Sequence, residues 1–323
     1  LLPGFVDVHI HAFKGMDAMQ GEEAVRHMSR ELKKVGVAAF LPTTMSASPE
    51  DTVRALAGVK AVMERPEPDG AIVLGAHMEA PFLAEAKAGA QLKQYFADPN
   101  EENWQRYTCG LESVVRLITM APEQAGAMEF ISALTKKGIT VSIGHTTADA
   151  ETTHAAAEAG ATHVTHTFNA QTPLNHRAPG VPGAALVDDR LQCEVISDGI
   201  HLHPDIVKLI IRTKGKEKLV AITDAMEAAG MPDGQYQLGG QEVFVHEGAA
   251  RLKDGTLAGS TLTMIRAFQN LIRFGATPEE AALMTTKTPA LSIGNEELGE
   301  IELGAPAIFS RFDENYAFKG TVG

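Results

Sequence analysis

Cysteine is nearly absent from this 323-residue chain: Cys109 and Cys193 are the only two. Two thiols cannot staple a disulfide scaffold, so the fold must rest on a buried core, and a reducing, cytoplasmic compartment is the expectation. Basic residues are also short, 28 against 41 acidic, leaving a net charge of −13. Nucleic acid and anionic membrane surfaces both require a basic face, so neither is expected as a partner. No apolar run approaches the ~20 residues of a membrane-spanning helix. Two catalytic signatures are missing as well. There is no G-x-S-x-G elbow for a serine nucleophile, and no glycine-rich loop of the P-loop or dinucleotide type. The 44% hydrophobic and 21% charged fractions are those of a folded globular chain and exclude general disorder. An acidic chain can still take an anionic small molecule, which needs only a local positive pocket.

What the chain does contain is alternation. Apolar, β-branched runs fall at 5–9, 37–43, 71–78, 114–120, 140–145, 162–167, 193–198 and 219–224. Runs that are apolar almost throughout are what strands buried on both faces require. Helical patterns lie between most of them, at 21–35, 49–64, 123–137, 149–159 and 204–214. Eight strand–helix units predict an α/β fold, a closed (β/α)8 TIM-like barrel rather than an open sheet. The barrel is expected over 3–290, interrupted by a hairpin excursion at 233–256 where Asp233-Gly234, Gly239-Gly240 and Asp254-Gly255 mark turns. Helices are expected again at 260–274 and 278–288. The last stretch, 299–323, reads as a remnant of a small β domain whose N-terminal part is missing, since the chain opens at Leu1-Leu2-Pro3-Gly4 without an initiator Met and passes at once into the 5–9 strand.

The chemistry gathers at the strand ends. His9 and His11 form H-x-H at the end of the first strand, Glu79 follows the third with His77 beside it, His145 ends the fifth, His166 lies in the sixth and Asp224 ends the eighth. In a parallel barrel these ends ring one mouth, where chemistry is found. Residues i and i+2 of a strand share a face, so His9 and His11 can reach one cation. Imidazole and carboxylate suit Zn, Fe and similar ions, and Glu79 could bridge two of them. Such an ion activates water and polarises a carbonyl, and Asp224 could serve as general base and acid. His77 is divided between a site role and a hydrogen-bonded core role. His163 and Asp7 read as supporting residues, and Cys193 as core packing.

These segments resemble the N-acetylglucosamine-6-phosphate deacetylases of the amidohydrolase superfamily. The resemblance is carried by Pro3-Gly4-Phe5-Val6-Asp7-Val8-His9-Ile10-His11, His77-Met78-Glu79-Ala80-Pro81, Gly144-His145-Thr146, Thr165-His166-Thr167-Phe168-Asn169-Ala170, His176-Arg177-Ala178-Pro179-Gly180, Ser197-Asp198-Gly199-Ile200-His201, Thr223-Asp224-Ala225 and Leu257-Ala258-Gly259-Ser260, in that order. It implies Glu79, His145 and His166 as primary metal ligands, His9 and His11 as ligands of a second ion, and Asp224 as catalytic acid/base. It implies substrate contacts from Ala90, Gln91, Asn169, Ala170, Leu257, Ala258 and Gly259. Arg177 and His201 would hold a 6-phosphate, the arginine coming from the neighbouring subunit of a homodimer. An arginine fork suits the near-dianionic phosphate. The implied reaction releases acetate from N-acetylglucosamine 6-phosphate, with one or two divalent ions, zinc or iron first. The competing readings are another amidohydrolase with a different amide substrate, and an inactive truncated barrel. Ala80, Gln91 and Gln171 depart from the family pattern, which has Gly, His and Met there.

Overall fold

The computed structural model describes residues 1–303 and 308–323. Eight parallel strands follow one another in a single sheet. They are β1 (Phe5–Ile10), β2 (Val37–Thr44), β3 (Ala76–Met78), β4 (Val115–Met120), β5 (Thr140–Ile143), β6 (His163–Val164), β7 (Gln192–Ile196) and β8 (Leu219–Ile222). The ring closes where β8 meets β1. The Asp224 N–H donates to the His9 carbonyl at 2.8 Å, and Ile10 pairs in parallel with Ala225. Beside this junction the buried Asp7 carboxylate accepts from the Thr223 hydroxyl at 2.6 Å, across a sequence separation of 216. The closed (β/α)8 barrel expected from the alternation is therefore the fold.

Helices α1 (Glu22–Lys34) and α2 (Pro49–Glu64) begin where the sequence places caps and acids. The Ser48 hydroxyl accepts from the Asp51 N–H, Pro49 takes a first-turn position with no orphan donor, and Glu50 and Asp51 face the positive end of the dipole. Helix α3 (Glu101–Thr108) was not expected, yet it buries the single tryptophan, Trp104, against Phe130 of α4 (Ala127–Lys136). Helices α5 (Ala150–Ala159) and α7 (Pro204–Lys214) match the pattern closely. Helix α6 (Gly180–Val187) starts Gly-Val-Pro-Gly and forms against propensity because its first six residues are buried.

Several boundaries differ for physical reasons. The helix expected from 123 begins at Ala127, because the Glu123 carboxylate is engaged elsewhere: it accepts from the Thr147 N–H and hydroxyl and from the Thr146 hydroxyl. The strand expected at 71–78 splits at Gly75, whose φ of 145° breaks the ladder between Ile72–Val73 and β3. Strand β6 stops at Val164, so His166 lies beyond it rather than within it. Residues 260–262 are extended, with the Ser260 N–H donating to the Asp224 carbonyl, so α8 (Met264–Arg273) starts late. The helix expected over 278–288 breaks at Thr286 into α9 (Pro278–Thr285) and α10 (Lys287–Ser292), since the Pro289 ring clashes with the carbonyl a turn earlier.

The excursion after β8 is a three-stranded antiparallel sheet: β9 (Gly234–Leu238), β10 (Gln241–His246) and β11 (Ala249–Arg251). Its inner face buries Leu238, Val243 and Ala250 with Met45 and Met226 as a satellite core. A second small sheet joins Leu2–Pro3 to Phe309–Phe312 and Phe318–Val322, and Phe312 packs 5.1 Å from the Phe268 ring of α8. Part of the 299–323 stretch, 304–307, lies outside the described residues.

Gly58 is where α2 presses on the start of α1. A Cβ there would stand 2.5 Å from the Glu22 nitrogen and 2.6 Å from the Gly21 carbonyl carbon, both rigid backbone. The helix-propensity gain of alanine is at most ~1 kcal/mol, while overpacking costs ~1–3 kcal/mol. Gly58→Ala is thus expected to lower the urea midpoint, with a net loss of about 1–2 kcal/mol.

Candidate metal centre

Three of the candidate side chains are delivered by backbone turned left-handed just past a strand end. His145, His166 and Asp224 have φ of 46°, 28° and 51°. Non-glycine residues adopt this region rarely and at a cost, and such residues cluster at functional sites. The turn swings each side chain from the ladder into the barrel mouth. His9 and His11 arrive on the inner face of β1 and its end, and Glu79 directly follows β3.

The result is a cluster around one carboxylate. Glu79 Oε1 lies 3.1 Å from His145 Nε2, 3.1 Å from His166 Nε2 and 3.5 Å from His9 Nε2, while its Oε2 is 3.3 Å from His11 Nε2. Asp224 Oδ1 stands 3.2 Å from His11 Nε2 and 3.6 Å from His9 Nε2. The donors form two groups, Glu79/His145/His166 and His9/His11/Asp224, all buried. Three of the four remaining ring nitrogens are tied back: His11 Nδ1 to the Thr43 carbonyl at 3.2 Å, His145 Nδ1 to the Lys87 carbonyl at 2.8 Å, and His9 Nδ1 to Glu194 at 3.1 Å. His9 Nε2 is buried with no hydrogen-bond partner. A buried lone pair among carboxylates fits a cation, and the nitrogen–oxygen donor set fits zinc, iron or manganese.

Protonation answers to the same crowding. Burial alone would lower the His11 imidazole, but hydrogen bonds to Asp224 and Glu79 push it up to about 10. Burial would raise Glu79, but His9 and the other imidazoles hold it well below the usual carboxylate range. Asp224 is likewise lowered, burial opposing and His11 prevailing. His77 behaves differently. Burial drives it well down, and its nitrogens engage Thr119 at 2.8 Å and Thr43 at 3.4 Å, so it is a neutral packing residue below the site rather than a member of it. Burial similarly lowers His163 to about 4.

A cavity of about 300 Å³ opens over the cluster, at the small end of small-molecule sites. Ala90, Gln91, Asn169, Ala170, His201, Leu257 and Gly259 line it with every donor but His9. Ala258 does not: its methyl is fully buried in the satellite core, as the alternating direction of an extended segment requires. Arg177 does not reach it either. It is exposed on the 173–179 loop, beside a separate cavity shared with Asp149 and Glu151. His201 Nδ1 donates to Asp198 at 2.7 Å; burial would lower this imidazole, but Asp198 raises it. Gln91 is more than a wall. Its amide donates to Glu79 Oε2 at 2.5 Å and its oxygen accepts from the Ser46 N–H at 2.7 Å, so it fixes the central carboxylate. Gln171 lies off the cavity and staples the left-handed 166–170 turn, accepting from the Phe168 N–H and donating to the Thr165 carbonyl. Sequence reasoning missed the cavity residues Met45, Ala86, Lys87 and Leu238, and also Glu194 outside the cavity. Only Glu194 left a signal, an acid inside the apolar strand Gln192–Ile196.

Barrel and donors together define a class: hydrolases that hold a divalent metal at the carboxyl rim of a parallel barrel. The chain matches the amidohydrolase family over residues 1–320 and belongs to it. It is 37% identical to an N-acetylglucosamine-6-phosphate deacetylase of Vibrio furnissii over 324 residues, 99% of this chain and 81% of that one. It is equally, at 37% over 314 residues, similar to an N-acetylgalactosamine-6-phosphate deacetylase of Escherichia coli O157:H7, covering 95% of this chain and 82% of the other. Among solved structures it superposes with a TM-score of 0.93 and 33% identity on an aspartate-to-alanine mutant of N-acetyl-D-glucosamine-6-phosphate deacetylase from Mycobacterium smegmatis in complex with N-acetyl-D-glucosamine-6-phosphate. That match covers 99% of this chain and 84% of the other.

Imidazoles that share protons with Glu79 and Asp224 must lose them when a cation arrives. Because His11 is held protonated at neutral pH, zinc uptake at pH 7.5 should release about one proton or more per protein. Calorimetric titration in buffers of different ionisation enthalpy reads this directly; a buffer-independent heat would contradict it.

Proposed function

We propose that this protein is a metal-dependent deacetylase that converts N-acetylglucosamine 6-phosphate to glucosamine 6-phosphate and acetate. The carrying observation is the buried Glu79/His145/His166 and His9/His11/Asp224 donor set, beneath a sugar-sized cavity, in a chain whose full-length relatives bear that activity. Glu79, His145 and His166 would hold the principal ion, zinc or iron, and His9 with His11 a second. A bound ion supplies polarisation of the amide carbonyl and a lowered pKa for water.

The chain's own residues do the rest. Asp224, 8% exposed at the cavity floor and held ionised by its histidine neighbours, takes the proton of the attacking water. It then returns a proton to the departing amine nitrogen. Gln91 keeps Glu79 oriented, while Ala90, Asn169, Ala170, Leu257 and Gly259 enclose the sugar. The His201–Asp198 pair offers a cationic donor to the 6-phosphate. Arg177, exposed on its own chain, meets that phosphate when a second copy presents it, which implies a homodimer. The two cysteines are free, and among the described residues no helix is long and apolar enough to cross a membrane; both are consistent with a cytoplasmic enzyme. The 3–290 barrel would carry the reaction and 299–323 a small β domain. A second reading, the galacto epimer as substrate, is favoured by the similarity to the N-acetylgalactosamine-6-phosphate enzyme.

Acetate release should be measured on metal-quantified protein with both epimeric phosphates and with unphosphorylated N-acetylglucosamine. Turnover of the gluco phosphate that needs metal supports the reading; preference for the galacto epimer replaces its sugar, and a loaded protein idle on both sinks it. Asp224→Asn is expected to lower kcat by about 10²- to 10⁴-fold while the Glu79 group still holds its ion. Loss of all metal in that variant would move Asp224 from acid/base to structural ligand. Arg177→Ala should raise KM far more for the phosphorylated sugar than for the unphosphorylated one, and equal effects would remove it from phosphate recognition.

A further inference from the structure

Glu194 sits on β7 with no exposed surface, an acid in the apolar run Cys193-Glu194-Val195-Ile196. Burying a carboxylate is costly unless something holds it. Its Oε2 is used twice. It accepts from His9 Nδ1 at 3.1 Å and from the His166 backbone N–H at 3.3 Å. Its other oxygen is buried without a partner. One carboxylate oxygen thus ties together β1 and the turn after β6, the segments that carry a histidine of each donor group.

The other ring nitrogens are held differently. His11 Nδ1 and His145 Nδ1 donate to backbone carbonyls, and His166 Nδ1 is buried without a partner. Among the described residues, His9 is the one histidine of the cluster whose second nitrogen faces an anion. A carboxylate at Nδ1 fixes the proton there, so the lone pair falls on Nε2, the very atom left unpartnered beside Glu79 and Asp224. It also makes the imidazole a stronger donor to a metal.

We propose that Glu194 is a positioning residue that makes His9 a metal ligand, by locking its tautomer and by anchoring its strand to the His166 turn. This rests on the metal-dependent reading above. The test is metal binding rather than activity. Metal-free protein is titrated with Co²⁺, followed by equilibrium dialysis and visible absorption. Glu194→Gln is expected to weaken uptake by ~10- to 100-fold and alter the cobalt spectrum, and Glu194→Asp to recover part of both. A folded Glu194→Gln protein with unchanged affinity and spectrum overturns the proposal alone. An unaltered protein that takes up no ion overturns it together with the deacetylase reading. Should the variants fail to fold, long-range ¹H–¹⁵N spectra of the unaltered zinc-loaded protein decide. A His9 that binds through Nε2 and keeps its Nδ1 proton supports the assignment; a proton-free Nδ1, or ligation through it, refutes it.

Discussion

A single carboxylate surrounded by four imidazoles governs this molecule. Glu79 lies within 3.5 Å of His9, His11, His145 and His166, all nearly or wholly buried. Charges so desolvated are stable only as a set, because removing one partner strands another. The barrel accordingly builds downward from this set. Beneath it runs a polar layer, unlike the branched aliphatics that commonly fill parallel barrels. It holds hydroxyls and a neutral ring: His77 to Thr119, Thr119 to Thr165 at 2.9 Å, and Thr165 to Ser142 at 2.6 Å. Each polar group there is satisfied by the next, which lets a charged mouth rest on a packed floor.

The periodic features of the fold were legible in the sequence, and its exceptions were not. Strands such as Val37–Thr44 and Leu219–Ile222, and helices such as Pro49–Glu64, announced themselves through apolar runs and caps. Trp104's helix lacked a long apolar stripe, and the Gly180 helix contradicts its own propensities, so burial rather than local preference forms both. The candidate donors that the fold brings together were legible because H-x-H and strand-end position are properties of spacing. The left-handed turns at His145, His166 and Asp224 were not, since the residues that take that conformation are not glycines. Nor were the bonds from Gln91 and Glu194, which join residues distant in sequence; only the fold brings Gln91 to Glu79 and Glu194 to His9.

An acidic chain that takes up a phosphorylated sugar must localise its positive charge. The cavity does so sparingly. His201 is neutralised in part by Asp198, and Lys87 lines the wall with its carbonyl already holding His145. A divalent ion held at the floor would therefore contribute attraction as well as chemistry. An exposed Arg177 on the far loop would make full phosphate recognition a property of two chains.

The barrel's closing bond joins His9 to Asp224, so the first strand and the last converge within the donor set itself. This has a consequence for biosynthesis. A nascent chain emerging from the ribosome carries His9 and His11 early, then Glu79, His145 and His166, but cannot bring them to one point until Asp224 and the segment behind it have left the exit tunnel. Capture by the whole donor set therefore waits until β8 has emerged, and an ion held by both donor groups would report that the first and last barrel strands have met.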